Sequence, residues 1–171
     1  MTKAKILQPD LILGDTILHL TPELLTHHQL RGLILDVDET LVSATESAVS
    51  PLLNTWVASI RPLGPICLVS NNTSEHRIGS IARSLDLPYF IGAVKPSRRK
   101  LRQALEQMNL PTHQVAMVGD RLFTDVLAGN RLGLFTILVE PIIALKAFSP
   151  SHLTRNFEFW FSQRLGVSLK K

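Results

Sequence analysis

Short apolar runs alternate along the chain with stretches whose apolar residues recur every three or four positions. Residues 33–37, 66–70, 89–93, 115–118 and 134–139 have the length and the bounding turn residues of buried strands. Between them, Ile78, Ile81, Ala82 and Leu85 form one apolar stripe at helical spacing, and Leu101, Ala104, Leu105 and Met108 form another. Thr21 and Pro22 supply an N-cap and a first helical position for a lead-in helix in "PELLTHHQL". Trp56 falls in the helix expected after the first strand, and "SPSHLTRNFEFWFSQRL" reads as a C-terminal helix. Strand and helix in this alternation predict right-handed crossovers and a mostly parallel sheet flanked by helices on both faces, an α/β Rossmann-like sandwich.

The 171 residues suit one domain with a single core, here residues 33–139, preceded by a lead-in (1–32) and followed by a helical extension (140–171). With 45% hydrophobic and 19% charged residues, neither a disordered nor a fibrous chain is indicated. The single cysteine, Cys67 in "PICLVS", excludes an intrachain disulfide and reads as a small buried hydrophobe in a reducing compartment. Gln8, Pro9 and Asp10 interrupt any signal-peptide core, and Glu140, Pro141 and Lys146 break the longest apolar region before it reaches a spanning length. These features predict a cytoplasmic protein whose membrane contact, if any, is peripheral. A net charge of +4 suits a polyanionic partner without choosing one.

In a sheet of this kind the loops at the carboxyl ends of the strands build the site. The first strand ends in Asp36 and Asp38 with Thr40 just beyond, the second in "SNNTS" from Ser70 and Asn71, the third leads to Lys95, and the fourth ends in "GDRLFTD" with Asp120 and Asp125. Carboxylates about 4 Å apart repel by roughly 4 kcal/mol at an effective dielectric near 20, so the cluster calls for a cation. Oxygen donors with no His or Cys cluster favour Mg²⁺. Asp36 is then a candidate nucleophile toward phosphorus, giving an aspartyl phosphate, and Asp38 the general acid and base. Ser70, Asn71 and Lys95, with Thr40 as a further hydroxyl, are candidates for holding the phosphoryl oxygens.

"DVDET", "VSNN", Lys95 in "AVKPS" and "VGDRLFTDV", in that order, resemble the four motifs of the haloacid dehalogenase (HAD) superfamily phosphatases. The resemblance implies Asp36 as nucleophile, Asp38 as acid/base and Asp36, Asp38 (through its backbone carbonyl) and Asp120 around Mg²⁺. It also implies Ser70 and Lys95 as phosphate ligands and Asp125 as a support for the metal shell or for Lys95. Residues 41–65 and 71–94 leave room for one helix each and no cap domain, so the site is expected to be open. The lead-in "LQPDLILGDTILHLTPELL" and "GDRLFTDV" followed by "GNRLG" are similar to the YqeG family, whose relatives include phosphatidylglycerophosphate phosphatases. That family usually carries Asn where Glu39 stands, and the Glu39 side chain is expected to point away from the nucleophile. "DVDETLV" alone also resembles the C-terminal-domain protein phosphatases, whose fourth motif lacks the "GDRLFTD" form.

The resemblance thus implies a Mg²⁺-dependent phosphomonoesterase, with phosphatidylglycerophosphate as the expected substrate. The alternatives are a soluble sugar-phosphate or phosphoprotein phosphatase and a non-enzymatic phosphate-binding scaffold. The run Lys95, Arg98, Arg99, Lys100, Arg102 reads either as a solvated helix face or as an anion-attracting rim able to meet lipid headgroups. Phe157, Phe159, Trp160 and Phe161 suit core or subunit packing, or an interfacial seat. A homo-oligomer is compatible with that packing. The six His show no ligand spacing, and no nucleic-acid-binding module accompanies the positive charge.

Overall fold

The computed structural model describes residues 5–142. The aromatic segment around Phe157 and Trp160, with the rest of the expected C-terminal helix, lies outside the described residues. Six parallel strands form one sheet: β1 (Leu11–Ile12), β2 (Gly32–Leu35), β3 (Ile66–Val69), β4 (Tyr89–Phe90), β5 (Val115–Gly119) and β6 (Phe135–Leu138), in the order β1-β6-β5-β2-β3-β4. The five expected strands are all present, several of them a residue or more shorter than their apolar runs. The third keeps only Tyr89 and Phe90, because Gly92 and Val94 take left-handed backbone (φ 56° and 52°) where the chain turns toward Lys95.

β1 was not expected. It is two residues long and half-buried, so it carries no readable alternation. A side chain fastens it: Asp10 accepts from the Thr136 amide at 2.8 Å and from the Thr136 hydroxyl at 3.0 Å.

Helices cover both faces. α1 (Pro22–His27) starts at Thr21, whose hydroxyl accepts from the Leu24 amide, with Pro22 at the first position as the sequence predicts. α2 (Pro51–Ile60) is capped by Ser50 and buries Leu53, Trp56, Val57 and Ile60, a stripe at i, i+3, i+4 and i+7. α3 (Glu75–Leu85) is capped by Ser74, and α4 (Arg99–Met108) follows Lys95. A π-helical turn, Leu122–Val126, runs into α5 (Leu127–Leu132). Successive residues of a strand face opposite sides, and β2 shows it: Leu33 and Leu35 pack with Leu53, Val57, Ile78 and Ile81, whereas Ile34 packs with Leu101, Ala104 and Ala128. Both faces of β2 are therefore dry, and its end is held between β5 and β3 at the middle of the sheet. Among the described residues no cap domain interrupts either crossover near the site.

Candidate active site

The carboxyl ends of β2, β3, β4 and β5 lie side by side, and each delivers one of the expected groups. Asp36 follows β2 directly, its amide donating to the Val118 carbonyl at 2.9 Å, so the β2–β5 pairing fixes its backbone. Lys95 is buried, and its Nζ lies 2.5 Å from Asp36 Oδ1 and 2.7 Å from Asp125 Oδ1. Grouped by sequence with the basic run, Lys95 therefore belongs to the site and not to the surface. Asn71 positions it: the Lys95 amide donates to Asn71 Oδ1 at 2.7 Å, and Asn71 Nδ2 donates to the Lys95 carbonyl at 3.3 Å. Both ends of that carboxamide are engaged by the Lys95 main chain.

The fully buried Thr40 hydroxyl donates to Asp120 Oδ1 at 3.4 Å, which orients that carboxylate. Asp125 stands on the π-helical turn, where its Oδ2 accepts from the Arg121 amide at 3.2 Å. Its carboxylate crosses the end of β5 so closely that a Cβ at Gly119 would meet Asp125 Oδ2 at 2.3 Å and its Cβ at 2.6 Å. Only glycine at the end of that strand lets Asp125 reach Lys95.

Asp36, Asp120 and Asp125 can each offer one carboxylate oxygen such that all three lie within 4.8 Å of one another. At that spacing each pair of anions repels by about 3 to 4 kcal/mol for an effective dielectric near 20. The donor set is all oxygen, anionic and free of His and Cys, which fits a hard divalent cation beside the Lys95 ammonium. The Asp38 side chain is not part of this trio. Its Oδ2 accepts from the Ser70 hydroxyl at 3.4 Å, and its Oδ1 lies 2.5 Å from Arg77 Nη1.

Electrostatics follows the burial. Asp36 is pushed up to about 7, first by loss of water and further by the nearby Asp125 and Asp38 charges, against the opposing pull of Lys95. Burial works against the charged form of Lys95, but Asp125 and Asp36 outweigh it and hold the ammonium above its ordinary value. The Cys67 thiol, raised to about 12 by burial, is an inert core group.

Glu39 stands where the resemblance implies Asn, and its backbone is one that suits Asn. The residue sits at φ 67°, a left-handed conformation in which Asn is several-fold enriched. Its carboxylate turns to the Ala44 amide at 3.2 Å, satisfying the turn that follows. Glu39→Asn is expected to leave stability unchanged or raise it by up to about 1 kcal/mol, with turnover within a factor of roughly two of wild type. Thermal melting and a phosphatase assay check this; a large fall in Tm would mean that the Ala44 contact outweighs the backbone preference.

The sequence reading missed Arg77. It lies in the first turn of α3 among polar neighbours, where no apolar periodicity marks a half-buried cation.

A family model described as HAD-hydrolase-like matches residues 93–141. The probable phosphatase YqeG of Bacillus subtilis is 34% identical over 155 residues, covering 91% of this chain and 87% of that protein. The chloroplastic/mitochondrial phosphatidylglycerophosphate phosphatase 1 of Arabidopsis thaliana is 28% identical over 129 residues, which span 70% of this chain but only 37% of the plant protein. Among solved structures, the cobalt-bound deoxy-D-mannose-octulosonate 8-phosphate phosphatase of Haemophilus influenzae superposes with a TM-score of 0.51 at 16% identity, over 64% of this chain and 68% of that one. A hypothetical protein of Xanthomonas campestris gives 0.53 at 19%, over 73% and 74%. These two share the fold. With four strand ends delivering Asp36, Ser70, Lys95 and Asp120, and with YqeG matched over nearly its whole length, the chain belongs to the YqeG family of HAD-superfamily phosphatases.

Proposed function

We propose that this phosphatase hydrolyses phosphatidylglycerophosphate, with Mg²⁺ bound by the carboxylates of Asp36, Asp120 and Asp125 and by the backbone carbonyl of Asp38. The observation that carries the chemistry is the buried junction of Asp36, Lys95 and Asp125 beside the outlying, half-buried Asp38. Asp36 Oδ forms a bond to phosphorus while the bond to the leaving oxygen breaks, its electron pair staying on that oxygen, which takes a proton from Asp38. Lys95, with the Ser70 hydroxyl and the Asn71 loop, meets charge on the phosphoryl oxygens. Asp38 then takes a proton from water as the water attacks the phospho-Asp36 and restores the carboxylate. Bound Mg²⁺ supplies a Lewis acid that neutralises phosphoryl charge.

Two features favour a lipid substrate over a small soluble one. Relatives named as phosphatidylglycerophosphate phosphatases occur in a plant and in the alga Chlamydomonas reinhardtii, the latter 27% identical over 143 residues. The surface near the sheet's carboxyl end and along α4 also has apolar and basic groups that suit an anionic membrane. Leu52 and Val94, large hydrophobic side chains that are 68% and 71% exposed, lie where α2 opens and where the chain leaves β4. Beyond Val94, Arg98, Arg99, Arg102 and Arg131 line an open depression along α4 in which, among the described residues, Glu106 is the only acid. Each cation near an anionic bilayer contributes about 1 kcal/mol. Among the described residues no helix is long and apolar enough to cross a membrane.

Phosphate release from phosphatidylglycerophosphate in mixed micelles, beside sugar phosphates and a phosphopeptide, tests the substrate. Preference for the lipid is expected; activity confined to soluble esters would contradict it. For the surface, Arg99→Glu combined with Arg102→Glu is expected to weaken binding to phosphatidylglycerol vesicles by well over tenfold while sparing turnover of a soluble ester. Unchanged vesicle binding would return these arginines to an ordinary solvated helix face.

The raised Asp36 gives the metal claim a sign. Between the ordinary value of 3.8 and about 7 the folded, metal-free chain holds a proton at Asp36 that the unfolded chain has released. Its stability therefore falls as pH rises through that window. Mg²⁺ needs the carboxylate, so the rise in Tm on adding Mg²⁺ is expected to be larger at pH 8 than at pH 5.5. Equal shifts at the two pH values would contradict this assignment.

A further inference from the structure

Arg77 is the cation in the site wall that the phosphatase chemistry above leaves without a task. Its guanidinium is held at three points: Nη1 lies 2.5 Å from Asp38 Oδ1, Nη2 donates to the Ser43 carbonyl at 2.7 Å, and Nε donates to the Glu46 carbonyl at 2.9 Å. Two of the five N–H groups of an arginine remain after these bonds. The side chain is 14% exposed, so the fork is held in place without being fully sealed from solvent. The two carbonyls orient the fork without adding charge, and its anionic partner among the described residues is Asp38.

We infer that Arg77 binds a second anion carried by the leaving alcohol, so that the site selects phosphomonoesters whose leaving group bears a phosphodiester. Asp38 works on the leaving-group side, and it must come within about 2.6–3.2 Å of the leaving oxygen to hand over its proton. A guanidinium bonded to the other oxygen of that carboxylate stands roughly 5–6 Å from the leaving oxygen, about the span of a three-carbon bridge. Arginine's planar fork matches a phosphate oxygen pair, and its immobilisation by Ser43 and Glu46 lowers the entropy lost when the anion docks. Lys95 meets the anion that is transferred, and Arg77 meets the anion that departs.

The inference rests on the phosphomonoesterase reading with Asp38 facing the leaving group, but it does not require a lipid. The test uses two water-soluble esters: 3-hydroxypropyl phosphate, and the same molecule with its free hydroxyl converted to a methyl phosphodiester. Wild type is expected to favour the diester-bearing ester by roughly ten- to hundredfold in kcat/KM, chiefly through KM. Arg77→Gln should bring the ratio close to one, and Arg77→Lys should keep part of it. An arginine that merely braced the 43–46 turn would instead lower turnover of both esters alike. A wild-type ratio near one, which needs no variant, overturns the inference, as does an equal loss on both esters in Arg77→Gln. Discrimination between the small esters combined with failure to cleave phosphatidylglycerophosphate would uphold Arg77 and remove the lipid. No turnover of either ester would overturn the phosphomonoesterase reading and this inference together.

Discussion

Asp36→Asn is expected to lower phosphatase turnover by at least about 10⁴-fold while leaving the chain folded and, at pH 8, at least as stable as wild type. The loss follows from chemistry: an amide oxygen is a poor nucleophile toward phosphorus, and the other groups of the site act on a reaction that Asp36 begins. The stability follows from the raised Asp36 value of about 7, whose largest cause is burial. At pH 8 the native chain must keep Asp36 ionised where water would stabilise it better, at a cost on the order of a few kcal/mol. Asn removes that charge and still offers an oxygen to Lys95. Steady-state kinetics beside thermal melting at pH 8 check both halves. Retained activity would remove Asp36 from the nucleophile's role, and a large fall in Tm would mean that the Lys95 attraction outweighs the cost of burial.

Lys95→Met should act in the opposite sense on stability. The ammonium is buried between Asp36 and Asp125, and removing it leaves two carboxylates in a dry site without their cation. Breaking a buried ion pair by deleting one partner typically costs about 3–5 kcal/mol, a large fraction of the stability of a single domain. The variant is expected to melt far below wild type, to lose nearly all activity, and to regain part of its stability when Asp125→Asn is added. A fully stable Lys95→Met protein would show that the ion pairs contribute little to the fold.

The positions of these groups were legible in the sequence because the physics that places them is local. A buried parallel strand must be apolar throughout, so Leu33, Ile34 and Leu35 mark β2 and the first polar residue, Asp36, marks its carboxyl end. Ser70 and Asp120 follow from the same rule at β3 and β5, and Lys95 lies five residues past β4, where the apolar run 89–94 ends. Helix caps were equally readable at Thr21 and Pro22. What escaped depends on contacts distant in sequence. β1 exists because Asp10 bonds Thr136, 126 residues away, and nothing near Leu11 signals it. Arg77 finds Asp38 across 39 residues, a contact that nothing near it in the chain announces.

The left-handed Glu39 lies between these cases. The departure from Asn is visible in the chain, but its meaning, a backbone at φ 67°, is visible only in the structure. The carboxylate's turn toward Ala44 accounts for how glutamate is accommodated beside the nucleophile loop.

The central claim, that phosphate passes through Asp36 on its way to water, is tested most directly by the stereochemical course at phosphorus. A phosphomonoester made chiral with oxygen isotopes, hydrolysed in labelled water by the Mg²⁺-loaded enzyme, is predicted to give inorganic phosphate with net retention, because two in-line displacements each invert. Net inversion would mean a single direct attack by water and would contradict the account.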